Sequence, residues 1–105
     1  MISMNTEQFR QYALEGDAPI LVEFWAPWCG YCRRIAPALG RVAEQLKGTL
    51  AVGQVNIDDE PALADEERIE VVPTLILYHG GKALGSIVAP ESKAGIEEFI
   101  RQTLG

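Results

Sequence analysis

Cysteine is scarce in this chain, with two in 105 residues, and both fall in one four-residue stretch, Cys29 to Cys32. A small secreted domain stapled by disulfides needs cysteines spread along its length, so that architecture is excluded and the pair is left for local chemistry. Histidine is scarcer still. His79 stands alone and far from the cysteines in sequence, whereas structural zinc takes four ligands, so no metal site is expected. Positive charge is also short, since nine Lys and Arg face fifteen Asp and Glu for a formal net charge of −6. Phosphate binding draws its affinity from cations, which disfavours nucleic acid and anionic membrane surfaces as partners. No apolar run approaches the roughly 20 residues that cross a bilayer, and the N-terminal MISMNTEQF lacks the basic and apolar regions of a secretory leader. The cytoplasm is therefore the expected compartment.

The composition that is present, 48% hydrophobic and 23% charged, is that of an ordinary globular protein, and 105 residues suit one domain, 1–105, with one core. A monomer is expected. Ile2 to Met4 reads as a short edge strand, followed by Asn5 or Thr6 as an N-cap and a helix with Phe9, Tyr12 and Ala13 on one side. Ile20 to Trp25 is an apolar run interrupted only by Glu23, as in a central strand covered on both faces. Beyond it, Cys32, Ile35, Ala36, Leu39, Val42, Ala43 and Leu46 form the stripe of a long helix, with Pro37 expected to kink it and Gly48 to stop it.

Leu50 to Ile57 reads as a strand parallel to the first, and Asp58 to Arg68 as a short acidic helix with Pro61 in its first turn. Thr74 to Tyr78 and Ala83 to Val88 flank His79-Gly80-Gly81-Lys82, a hairpin turn in which glycines permit positive φ. A last helix carries Ile96, Phe99, Ile100 and Leu104 on one face. The sum is an α/β fold, a mixed sheet of four to five strands with helices on both faces.

Cys29 and Cys32 fall where the buried strand gives way to the long helix. Free N–H groups and the positive end of the helix dipole favour a thiolate there, making Cys29 the nucleophile. Cys32, one turn inward on the apolar stripe, is expected to be less exposed and to act as the resolving thiol. Two inert buried thiols are the plain alternative, since free cysteine also behaves as a small hydrophobe.

The segments LVEFWAPWCGYC and RRIAPAL, then VNIDDEP, VVPTLILYHGGK and the closing helix, resemble the thioredoxin family in order and spacing over nearly the whole chain. The resemblance implies the thioredoxin fold and a protein-disulfide reductase that binds no cofactor, its redox centre being the Cys29–Cys32 disulfide. It implies protein disulfides as substrates and thioredoxin reductase or a similar reductase as the recycling partner. It further implies that Pro73, after Val72, is a cis-proline facing the redox pair and offering backbone to an extended substrate; a trans proline opening a strand is the other reading. Trp28 would shape the site's rim, with Trp25 beside it, although either could be core. Gly30 would let the chain turn tightly into the helix.

Tyr31 stands where the family usually carries proline, and Tyr before the second cysteine is similar to glutaredoxin's C-P-Y-C. Losing proline frees an N–H and loosens the turn, which favours the dithiol and a reduction potential above the family's usual value of about −270 mV. Glu23 occupies the place of the family's buried Asp, which relays a proton for the inner cysteine, and Gln54 stands where its Lys partner would be. Desolvation should raise the Glu23 pKa and poise it for general acid–base work, unless the side chain reaches water. Ala89, before Pro90, replaces a rim glycine and narrows a partner's approach. Arg33 and Arg34 read as solvated helix residues, and the acidic run Asp58 to Glu67 as a solvent face. Two other readings remain open: an oxidant or isomerase, and a binding or chaperone module on the same fold.

Overall fold

The computed structural model describes all 105 residues. Its centre is β2 (Ile20–Trp25), whose side chains alternate across a sheet buried on both sides. The other strands are β1 (Ile2–Ser3), β3 (Ala51–Asn56), β4 (Thr74–His79) and β5 (Lys82–Val88), and the spatial order is β1-β3-β2-β4-β5. β3 lies parallel to both β1 and β2, while β4 pairs antiparallel with β2 and β5 antiparallel with β4, so the sheet is mixed as expected and has five strands.

Period-two alternation divides the interior into two cores. On one face Leu21, Val52, Leu75 and Leu77 meet Ile35, Leu39 and Val42 of α2 (Gly30–Gln45) and Ile96 and Ile100 of α4 (Lys93–Leu104). On the other, Ile20, Val22, Phe24, Val55, Ile76 and Tyr78 meet Met4, Phe9, Ala13 and Leu63. Phe9 comes from α1 (Thr6–Phe9), which continues as a π-helical turn over Arg10–Leu14, and Leu63 from α3 (Pro61–Glu66). Phe9 meets both Phe24 and Tyr78 edge-on, with ring centroids 6.0 and 5.2 Å away. The fold is thus α/β with helices on both faces of the sheet.

Local chemistry sets the element ends. Asn5 caps α1 in a capping box, its side chain accepting from the Gln8 N–H while the Gln8 side chain accepts from the Asn5 N–H. Pro61 opens α3, and Gly80 and Gly81 take φ of 64° and 79° at the hairpin, the sign that a two-residue turn between twisted strands requires. The single helix α2 passes through Pro37, which lies on its exposed side, and Gly48 follows its end with φ of 86°.

Several expectations shift. Tyr12 is exposed, not packed beside Phe9 and Ala13, because the i→i+5 bond from the Glu15 N–H to the Arg10 carbonyl widens the turn and rotates position 12 outward. Ala38 is buried in the α2 stripe where Ala36 was expected, and Leu104 is exposed at the last position of α4. The acidic helix is shorter than Asp58 to Arg68: Asp58 to Glu60 instead turn on Asn56, whose side chain and carbonyl accept all three N–H groups.

Candidate active site

β2 delivers the chain through Ala26, Pro27 and Trp28 to Cys29, which is the N-cap of α2 with φ −86° and ψ 105°. In the cap position its sulfur takes the place usually filled by a Ser or Asp oxygen: the Cys32 N–H donates to Cys29 Sγ at 3.1 Å. Cys29 and Cys32 are joined as a disulfide with Cα atoms 5.3 Å apart. The expected difference in exposure is absent, for Cys29 is 5% and Cys32 4% exposed. Ala26, Trp25, Tyr31, Ile57 and Val72 pack around both. What separates the two sulfurs is their surroundings, with Cys29 at the positive end of a helix and Cys32 on its apolar stripe.

Facing the pair is the Val72–Pro73 peptide, which is cis, with the Val72 carbonyl oxygen 3.7 Å from Cys29 Sγ. Pro73 is buried, and its carbonyl accepts the Ala89 N–H at 3.0 Å. Ala89 takes φ of 46°, the left-handed region where a Cβ costs roughly 1–2 kcal/mol, and this explains why glycine suits the position. Gly30 is different: its φ is not positive and a Cβ there would meet nothing nearer than 3.7 Å, so the turn does not require glycine. Trp28 is rim and not core, 65% exposed, and its indole N–H donates to Asp58 Oδ1 at 3.2 Å. Val71, next to Val72, and Val88, paired with Thr74, are also exposed apolar side chains.

Glu23 does not reach water. It is 1% exposed on the α2 face of the sheet, opposite Gln54, whose amide donates to Glu23 Oε1 at 2.9 Å. Its Oε2 is buried without a partner. Burial pushes the carboxyl pKa upward, and the Gln54 hydrogen bond opposes the shift without cancelling it. Glu23, Gln54 and Cys32 line one small cavity of about 190 Å³ with Trp25, Arg33 and Ala36. The strand therefore brings a raised carboxyl and the inner cysteine to the same space.

Four contacts at the site were not legible as such. The Tyr31 hydroxyl donates to the Pro90 carbonyl at 2.9 Å, 59 residues away in sequence. Arg33, expected to be merely solvated, donates to the Pro27 carbonyl at 2.7 Å, and the Arg34 guanidinium lies over the Tyr31 ring, 5.7 Å from its centroid. Asp58, in the acidic run that reads as a solvent face, accepts the hydrogen bond of Trp28. His79 sits at the distant hairpin, its Nε2 3.2 Å from the Asp17 carbonyl.

Comparison with known proteins matches this arrangement to one family. The family model for thioredoxin matches residues 1–102. The chain is 38% identical over 96 residues to thioredoxin 1 of Nostoc sp., covering 91% of this chain and 90% of that protein. It is 37% identical over 102 residues to the chloroplastic M-type thioredoxin of Chlamydomonas reinhardtii, covering 97% of this chain and 73% of the relative. With thioredoxin 1 of Synechococcus elongatus it shares 39% over 96 residues, 91% of this chain and 90% of the other. A disulfide at a strand-to-helix junction, a facing cis-proline and likeness along nearly the whole length lead to one conclusion: the chain belongs to the thioredoxin family of thiol–disulfide oxidoreductases.

Proposed function

We propose that this chain is a dithiol reductant of protein disulfides in which Cys29 is the nucleophile, Cys32 the resolving thiol and Glu23 the group that exchanges a proton with Cys32. The observation that carries it is the Cys29 sulfur at the N-cap of α2, held by a backbone N–H and bonded to Cys32. In the reduced protein the Cys29 thiolate attacks one sulfur of the substrate disulfide and forms a mixed disulfide. The other substrate sulfur leaves as a thiolate and takes a proton from water. Cys32 then gives its proton to the ionised Glu23 and attacks Cys29 Sγ; the second substrate sulfur leaves as a thiolate and takes a proton from water, Glu23 returns its proton to water, and two electrons have passed to the substrate. The cavity shared by Cys32 and Glu23 has room for water, which can carry that proton.

Val72, Pro73 and Ala89 present the backbone edge on which an extended substrate lies, and Trp28, Tyr31 and Gly30 form the turn and rim. Recycling by thioredoxin reductase or a similar reductase restores the dithiol, and the chain needs no bound cofactor for either half of the cycle. A reductant is useful in a reducing compartment, so the cytoplasm is the proposed site of action, with one domain, 1–105, working as a monomer.

The test combines insulin reduction with an equilibrium titration against glutathione followed by tryptophan fluorescence. Activity that is abolished by Cys29→Ser, with a potential above about −270 mV, is expected. A Cys29→Ser variant that retains its function would make the fold a binding module, and a potential at or below that figure would remove the role given to Tyr31 in redox poise.

A further inference from the structure

Around the disulfide, three segments far apart in sequence close into a ring of contacts. The redox turn reaches the β5–α4 loop through the Tyr31 hydroxyl on the Pro90 carbonyl, at 2.9 Å. That loop reaches the cis-proline segment through the Ala89 N–H on the Pro73 carbonyl, at 3.0 Å. The cis-proline segment returns to the turn where the Val72 carbonyl lies 3.7 Å from Cys29 Sγ. Apart from the Cys29 sulfur itself, only one of these links depends on a side chain, and it is Tyr31. Its ring is fixed from the outside by the Arg34 guanidinium. Without that link the loop, with Ala89 in the unfavourable left-handed region, keeps the burial of Pro90 and one backbone hydrogen bond, from the Ala89 N–H.

We propose that Tyr31 is a positioning residue for protein substrates: its hydroxyl latches the Ala89–Pro90 loop to the redox turn, so both sides of the substrate edge are ordered before a partner arrives. The inference rests on the disulfide-reductase reading. Ordering a loop on binding weakens affinity, so a latch made in advance lowers the KM for any partner that lies across the rim. A small disulfide touches only the sulfurs and gains little from it.

Tyr31→Phe keeps the ring under Arg34 and removes only the hydroxyl. Steady-state reduction of insulin and of 2-hydroxyethyl disulfide would be compared in the full chain, together with amide exchange at Ala89. Loss of one net hydrogen bond predicts an insulin KM raised about 3- to 10-fold. The fall in rate with the small disulfide should be smaller than the fall with insulin, and exchange at Ala89 should quicken. An unchanged insulin KM would overturn the latch. So would an equal fall with both substrates, since the hydroxyl would then act on the sulfur chemistry. If the parent chain reduces neither substrate, the reductase reading itself fails, and this outcome is distinct from the other two.

Discussion

Two regions of this molecule carry the same pair of costly features, a buried titratable group and a non-glycine residue at positive φ, and they treat them differently. Under α3, Tyr78 is buried and its phenol donates to Glu67 Oε1 at 2.6 Å. Burial first, then that bond and the Glu67 charge, drive its pKa far upward. Close by, Arg68 at φ 59° ends α3 in a Schellman arrangement, its N–H on the Asp65 carbonyl and the Ile69 N–H on the Ala64 carbonyl. At the redox site, Glu23 has one oxygen without a partner and Ala89 has a single backbone bond. One region is closed, with its groups held in one protonation state. The other leaves a buried carboxyl oxygen without a partner in the cavity it shares with Cys32.

Glu23→Gln tests the open region with the largest effect. Amide for carboxyl keeps the shape and removes the proton exchange, so resolution of the mixed disulfide should slow by up to about 10²-fold, the scale of one positioned proton transfer. Stability should move the other way. Above the ordinary carboxylate value of 4.5 and below its raised folded value, Glu23 keeps a proton in the native chain that the unfolded chain releases. Unfolding then gives off a proton, so stability falls as pH rises through that window. The variant should match the parent in denaturant midpoint near pH 4 and exceed it at pH 8. Equal pH profiles for the two proteins would show that Glu23 pays no penalty for ionising.

Tyr78→Phe tests the closed region and should have the opposite sign at neutral pH. Removing the phenol leaves the Glu67 carboxylate half-buried without its donor, a loss of about 1.5–3 kcal/mol for a hydrogen bond to a charged group. Disulfide reduction should be unaffected, because Tyr78 faces the core away from Cys32. A variant as stable as the parent would mean that the two regions do not differ in the way argued.

The features of this site that depend on neighbouring residues were legible in the sequence. The apolar run Ile20 to Trp25 and the helical stripe after it placed Cys29 at a junction, the glycines at 80 and 81 marked the hairpin, and a lone acid inside an apolar strand marked Glu23. Features made by partners distant along the chain were not. Nothing in periodicity pairs Tyr31 with Pro90, Trp28 with Asp58 or Tyr78 with Glu67, because each bond joins elements that only the completed sheet brings together. The facing proline came from family resemblance alone. Errors in the helices, Ala36 for Ala38 and Tyr12 for an inward residue, arose because apolar spacing gives the width of a stripe but not the rotation that packing chooses.

The smallest effect divides the two left-handed residues. Glycine relieves the Cβ clash at either position but loses more freedom on folding, so Arg68→Gly and Ala89→Gly should each stabilise by only about 0.5–1 kcal/mol. Thermal melts should find the two gains alike, since each relieves the same steric conflict. Kinetics should separate them, because Ala89 belongs to the proposed substrate edge and Arg68 follows α3. Ala89→Gly is expected to change kcat/KM for insulin while Arg68→Gly leaves it at the parent value. If both variants gain stability and neither alters the reaction, the strain at Ala89 is a matter of folding alone, and the contrast between an open and a closed region narrows to Glu23.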